Sequence, residues 1–212
     1  MRHRTARRQR MVRPSCARAV RSAAVLLLLV LAGLLMPVRA WTAEPTEVYF
    51  FRGFFGGNFS MGLDTIAGEL AQQGIRARVF SWRETEEAEE EILATPPDGP
   101  IVIVGHSFGG NAALSLSDKL AARGVPISLV VTLDPTTSGP VSPAVGAYRN
   151  YYLSFNALGK ALTVPPGMAG RVRNIDIRDR TDITVISESH WNMTENDVIA
   201  REVHRLILQA LR

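Results

Sequence analysis

Cysteine is almost absent from this chain: one in 212 residues, at position 16. Nothing beyond that point can form an internal disulfide, a cysteine metal site or a thiol nucleophile. Histidine is nearly as scarce, with three beyond residue 40: His106, His190 and His204. A surplus of basic charge is missing as well, although the formal net charge of +4 suggests one. Residues 1–40 hold nine of the 24 basic residues and no acid, which leaves 15 basic against 20 acidic residues in the remainder. That acidic body argues against a nucleic-acid-binding surface. There is also no apolar run of membrane-spanning length, since the longest, Ala23 to Met36, is short for the purpose.

What the first forty residues do contain is the pattern of an export signal. An arginine-rich segment precedes the apolar run, and Pro37-Val38-Arg39-Ala40 offers small residues at Val38 and Ala40 for cleavage before Trp41. The expectation is a signal peptide over 1–40, with export to the periplasm or the exterior; an uncleaved anchor is the alternative. Arg7-Arg8 adds little in a segment so rich in arginine. Residues 41–212 are then one domain, long enough to bury a core without covalent staples.

Along that body two kinds of segment alternate. Glu47 to Arg52, Ile75 to Trp82, Pro100 to Val104, Ile127 to Leu133, Tyr148 to Phe155 and Val172 to Ile177 read as strands. Met61 to Gln73, Arg83 to Ala94, Asn111 to Arg123 and Glu195 to Leu211 read as helices, the first closed by Gly74 and the third by Gly124 and Pro126. Gly53 to Ser60 reads as a glycine-rich loop. Alternation of this kind implies an α/β fold with a mostly parallel central sheet and helices on both faces. The uninterrupted apolar runs IVIV and ISLVV belong at the middle of such a sheet, buried on both sides. Ligands bind outside the carboxyl ends of its strands, so the residues just after each strand are the ones to inspect.

Gly105-His106-Ser107-Phe108-Gly109 has the G-x-S-x-G spacing of a nucleophile elbow, placed between a buried-type strand and a helix. Small residues let strand and helix approach, the turn exposes the Ser107 hydroxyl, and the Phe108 N–H at the helix start can donate to an oxyanion. A serine nucleophile needs a base. His106 lies inside the elbow with its side chain poorly directed for that task, and His204 sits in the last helix. His190, in the loop between the last strand and the last helix, is the candidate, and the order serine, acid, histidine suits this fold. Asp134, directly after the strand that follows the elbow helix, is the favoured acid; Asp179 and Asp182, after the last strand, are alternatives. A second oxyanion donor is expected from the loop after the first strand, where the Phe54 N–H is the candidate.

Taken together, Gly105 to Gly110, Leu133-Asp134-Pro135 and His190 resemble the lipase-type branch of the α/β-hydrolases, near lipases, esterases and thioesterase-like proteins. Some of those lipases also carry the acid in a Leu-Asp-Pro segment, which the resemblance implies for Asp134. They carry a His-Gly-Phe oxyanion segment, where this chain has Arg52-Gly53-Phe54. The likeness spans residues 47–204, in a body too small for a cap domain.

The expected function is hydrolysis of a carboxylic ester or thioester through an acyl-enzyme. Acyl transfer by the same intermediate, or a non-catalytic binding protein on a hydrolase scaffold, are the rivals. The substrate expected is a small-molecule or lipid acyl ester, with transient contact to a lipid surface allowed, no nucleic acid, and a monomeric chain. No metal and no organic cofactor is expected. The six glutamates of Arg83 to Glu91 have no histidine or aspartate beside them and read as a solvated helix. Gly56-Gly57-Asn58 is not followed by the Lys-Ser/Thr of a phosphate loop. Phe54, Phe55 and Phe59 suit either an acyl-binding surface or the core, and Trp191 either a wall of the site or packing.

Overall fold

Six strands form a single sheet in which every neighbouring pair is parallel. They are β1 (Val48–Arg52), β2 (Ala77–Ser81), β3 (Ile101–His106), β4 (Ile127–Leu133), β5 (Ala147–Tyr152) and β6 (Val172–Asp176), in the order β2-β1-β3-β4-β5-β6. Five helices accompany them: α1 (Gly56–Phe59), α2 (Met61–Gln72), α3 (Thr85–Ala94), α4 (Phe108–Ala122) and α5 (Asp197–Ala210). These come from a computed structural model that describes residues 47–212. The expected signal peptide, its cleavage site and the anchor alternative lie outside the described residues. No helix among the described residues is long and apolar enough to cross a membrane.

The central strands are continuous apolar runs because each feeds two cores. Val48 and Phe50 of β1 and Val102 and Val104 of β3 join a cluster with Leu63, Ile66 and Leu70 of α2 and Ile199, Val203 and Ile207 of α5. The intervening Tyr49, Phe51, Ile101 and Ile103 point to the opposite face, against Ala88 and Ile92 of α3 and Ala113, Leu116 and Leu120 of α4. With a side-chain period of two, a strand covered on both faces has no polar positions left. Past β4 the crossovers contain no helix, and buried Val145, Leu162 and Met168 from the loops cover the second face instead.

Several boundaries differ from expectation. Gly53 to Ser60 contains the short helix α1, which glycine content conceals; Gly56 is needed there because a Cβ would overlap the Arg52 side chain. The elbow helix starts at Phe108 rather than Asn111, so Gly109 and Gly110 are helical despite their poor propensity. β5 stops at Tyr152, where the chain turns toward the Asp134 carboxylate. The last helix begins as capping chemistry dictates: the Asn196 side chain accepts from the N–H groups of Val198 and Ile199 at 2.9 and 3.1 Å. The glutamate-rich helix α3 turns Ala88 and Ile92 inward, and its one buried acid, Glu89, is paired with Arg123 at 3.0 Å.

The sheet order sets the location of any site. The chain steps outward from β1 to β2, then returns across β1 to β3 and continues the other way. At such a reversal the connections on either side diverge and leave a crevice at the carboxyl edge. Gly53 after β1 and Ser107 after β3 face each other across it.

Candidate active site

β3 delivers Ser107 to the sheet edge on a turn with φ 57° and ψ −123°, a conformation that L-residues rarely adopt. The turn is enforced by packing that only glycine permits. A Cβ on Gly105 would overlap the Gly109 carbonyl, and a Cβ on Gly109 would overlap the Phe51 carbonyl of β1. Strand, turn and helix are therefore in backbone contact. The Ser107 N–H donates to the Leu133 carbonyl at 2.9 Å, which ties the elbow to β4.

Among the described residues, three besides glycine have positive φ: Phe55, Ser107 and Asp134. They stand in the loops after β1, β3 and β4, so all the backbone strain of this kind lies at one edge of the sheet.

Ser107, His190 and Asp134 are brought together there. The Ser107 Oγ lies 2.8 Å from His190 Nε2, and His190 Nδ1 lies 2.7 Å from Asp134 Oδ2. All three side chains are buried. A carboxylate can only accept, so His190 carries its proton on Nδ1 and leaves Nε2 to accept the Ser107 hydroxyl proton. Asp134 has no solvent contact, and two further donors compensate its burial: the Leu153 N–H at 2.8 Å and the Asn156 amide at 3.2 Å. The 156–159 turn closes over it so tightly that a Cβ on Gly159 would overlap Oδ1.

The alternative acids do not reach this cluster. Asp182 is gripped by Arg180 through two contacts of 2.7 Å, which lower its carboxyl below the ordinary value. Asp179 is exposed at the end of a short turn, 3.8 Å from Arg178. Both follow β6 as the chain order requires, but both side chains are exposed, and the His190 Nδ1 is taken by Asp134. His204 is on the surface, against Gln73 at 3.0 Å.

Gly53 is buried against Ser107, and a Cβ there would lie 3.3 Å from the Ser107 Oγ. Its own N–H is committed to Ser60 Oγ at 3.2 Å. The Phe54 and Phe108 N–H groups make no hydrogen bond within the described residues. Two uncommitted donors thus adjoin Ser107, Phe108 as the next residue and Phe54 as the residue after Gly53, which packs on Ser107. Arg52, which stands where the resembling lipases have histidine, is drawn off by Asp64 through paired contacts, one of them 2.9 Å.

Exposed apolar side chains gather around the hydroxyl. Phe54 packs on Phe55 and meets Phe108 edge-on, and Phe108 stacks on Trp82. On the other side Trp191 stands edge-on to His190 and against Phe59. Phe54, Phe55, Phe108 and Trp191 are each at least two-fifths exposed, so they form a rim and not core. No group of three or more potential metal ligands occurs among the described residues.

Sequence reading passed over Ser60, Asn156 and Gly159. Each works through a contact with a residue far away in the chain, and none has a local pattern that announces it.

A six-stranded parallel sheet reversing between β1 and β3, with an elbow after β3, an acid after β4 and a histidine after β6, is one architecture. The chain has the α/β-hydrolase fold. Within it, the profile of the Thioesterase domain family matches residues 84–147. That span takes in Ser107 and Asp134 and ends before His190. It supports an ester or thioester hydrolase. No curated protein matches the chain. Solved structures similar to it include a protein of the alpha/beta superfamily from Xanthomonas campestris pv. campestris, at 14% identity over 78% of this chain and 98% of that one, with a TM-score of 0.48. Another is the NocB thioesterase domain from the nocardicin cluster, at 14% identity over 79% and 95%, TM-score 0.49. A third is YbtT, a type II thioesterase of the yersiniabactin pathway, at 11% identity over 81% and 96%, TM-score 0.48.

Proposed function

We propose that this chain is a serine hydrolase of carboxylic esters or thioesters, with Ser107 as nucleophile, His190 as base and Asp134 as the acid that orients it. The observation that carries this reading is the unbroken line from Ser107 Oγ through His190 to Asp134, at 2.8 and 2.7 Å, in buried surroundings.

In the first half-reaction the Ser107 Oγ attacks the acyl carbon while His190 Nε2 takes the hydroxyl proton. The imidazolium that forms is stabilised by Asp134 through Nδ1. The carbonyl oxygen becomes an oxyanion between the Phe54 and Phe108 N–H groups, donors already fixed before the charge develops. Collapse expels the alcohol or thiol, which receives the proton from His190, and leaves Ser107 acylated. Water then repeats the sequence: His190 removes its proton, the hydroxyl adds to the acyl carbon, and Ser107 leaves with the proton returned. Every group needed for this proton traffic is in the chain.

The aromatic rim favours an apolar acyl group and allows transient contact with a lipid surface. The family match tilts the leaving group toward a thiol. Export of a monomeric enzyme remains part of this reading on the sequence alone.

The test is turnover of short acyl thioesters and p-nitrophenyl esters by purified residues 41–212, together with labelling by a fluorophosphonate. Wild type should hydrolyse at least one of them and be labelled at Ser107. The Ser107→Ala variant should be unlabelled and lose about 10⁴-fold or more in kcat. Full activity in that variant would end the assignment.

A further inference from the structure

His106 lies inside the elbow, is almost wholly buried, and takes no part in the proton traffic described above. Its two ring nitrogens are both engaged, and their partners fix the direction of each bond. Nε2 lies 2.8 Å from the main-chain carbonyl oxygen of His190. A carbonyl can only accept, so Nε2 carries the proton. Nδ1 of the neutral ring must then accept, and the Ser60 hydroxyl donates to it at 2.9 Å. Ser60 Oγ in turn accepts the Gly53 N–H at 3.2 Å. One directed chain therefore runs from Gly53 N–H to Ser60, from Ser60 to His106, and from His106 to the backbone of His190.

The ends of that chain matter. Gly53 immediately precedes Phe54, whose N–H is one of the two uncommitted donors beside Ser107. His190 is the base itself. His106 adjoins Ser107 in sequence, and its ring centroid lies 5.1 Å from that of His190. A single side chain thus joins the loop after β1, the elbow after β3 and the base-bearing segment after β6. The same parts also touch elsewhere, Gly53 on Ser107, Phe59 on Trp191 and Thr194 on the Phe59 carbonyl; His106 adds a hydrogen bond at the backbone of the base itself.

We propose that His106 is a positioning residue: its Nε2–H holds the His190 backbone in register with Ser107, and through Ser60 it couples the base-bearing segment to the loop that carries the Phe54 N–H. The inference rests on the proposed roles of Ser107 and His190. Neutrality is part of the design. A protonated His106 would lose Nδ1 as an acceptor and place a positive charge beside the imidazolium that His190 becomes during reaction. Burial first, and the neighbouring His190 second, push the His106 imidazole down to about 4, so the ring stays neutral near pH 7.

The experiment compares His106→Gln with His106→Asn, with kcat, KM and the fluorophosphonate labelling rate read for each. Gln can present an N–H near the position of Nε2 and reach the His190 carbonyl. Asn is one methylene shorter and reaches only toward Ser60. The expected result is a fall of about 10- to 100-fold in kcat and in labelling rate for Asn, with KM within about twofold of wild type, and recovery of most of that loss in Gln. Ser60→Ala, which leaves His106 intact, should lower kcat by about 3- to 10-fold. It keeps the inference testable if a His106 variant does not fold. Folded Asn and Ser60→Ala variants with wild-type kcat would overturn the inference, as would Gln no better than Asn. A wild-type protein never labelled at Ser107 would instead overturn the hydrolase reading beneath it.

Discussion

The proposed nucleophile and its proposed base are held by two different kinds of structure. The elbow, from Ile101 of β3 to Gly110 of α4, is fixed by main chain lying on main chain: Gly105 against Gly109, and Gly109 against the Phe51 carbonyl. The base-bearing segment, from Ile177 to Asn196, has no strand and no long helix, only three single turns of 3₁₀ helix. Its ends are anchored by Ile177, Ile183 and Met193 in the core and by Thr194 lying on Gly62, but the stretch around His190 is held by side-chain hydrogen bonds: Asn192 to the N–H of Ser189 and the carbonyl of Ser187, Asn196 to Glu188, and His106 to the carbonyl of His190. Backbone packing is lost all at once when a Cβ intrudes. A web of hydrogen bonds, each worth about 1 kcal/mol net, loosens by steps. The elbow should therefore fail in stability, and the base segment in rate.

The largest effect belongs to the join between the base and its acid. Asp134→Asn keeps the size of the side chain and an acceptor for Leu153, but it loses the carboxylate that fixes the His190 tautomer. A fall of about 10³- to 10⁴-fold in kcat with little change in KM is expected, read by steady-state kinetics on the best ester or thioester. An Asn variant within tenfold of wild type would mean that another group orients His190.

Next comes the elbow itself. Gly109→Ala puts a Cβ against the Phe51 carbonyl, where only backbone can yield. A loss of about 2–4 kcal/mol in unfolding free energy is expected from urea titration. Unchanged stability would show that β1 and α4 can part without cost, and the contrast between the two regions would vanish.

That contrast also explains what could be read in advance. The elbow was legible because its parts are consecutive: strand, turn and helix follow one another, and the glycines they need appear at fixed spacing, although one of them, Gly109, packs on distant Phe51. Asp134 and His190 were legible as positions after strands, because a parallel sheet gathers the carboxyl ends of its strands on one edge. Rejecting Asp179 and Asp182 was beyond the sequence. The choice depends on which carboxylate the folded chain brings to His190 Nδ1, and position after a strand does not reveal it. Ser60 and Asn156 were invisible for a related reason. Their partners, His106 and Asp134, lie 46 and 22 residues away, and serine and asparagine in polar loops are usually ordinary turn residues. The helix over Gly56–Phe59 was hidden by its own composition.

The third test uses pH to probe the strut between the two regions. His106 titrates near 6.5 when unfolded and at about 4 when folded, chiefly because burial disfavours the charged ring, with His190 beside it. Between those values the unfolded chain binds more protons than the folded one, so stability falls as pH falls. The contribution of neutral His106 is complete above about pH 6.5. About 3 kcal/mol of it is lost on descending to pH 4, where the loss levels off. Carboxylates titrate nearby, so the readout is the difference between wild type and His106→Gln in urea midpoints from pH 7 to 4. The gap between the two should narrow or reverse as the pH falls. A gap independent of pH would mean that His106 is not buried neutral.

The smallest effect expected is at Asn192, and it isolates the base segment. Its Oδ1 accepts the N–H and hydroxyl of Ser189 at 2.7 and 2.9 Å, and its amide donates to Ser187 at 2.9 Å, all beside His190 and partly open to solvent. Asn192→Ala removes these bonds without touching any group in the proton path or any contact of the elbow. Water can replace part of what is lost, so about 1 kcal/mol of stability and a fall of about 3-fold in kcat are expected, with KM unchanged. If the base is held by one shared web of hydrogen bonds, combining Asn192→Ala with His106→Asn should cost more than the sum of the two, because each then removes the other's reserve. Strict additivity of the two in log kcat would show that the segment is fixed by its packing, and that it resembles the elbow after all.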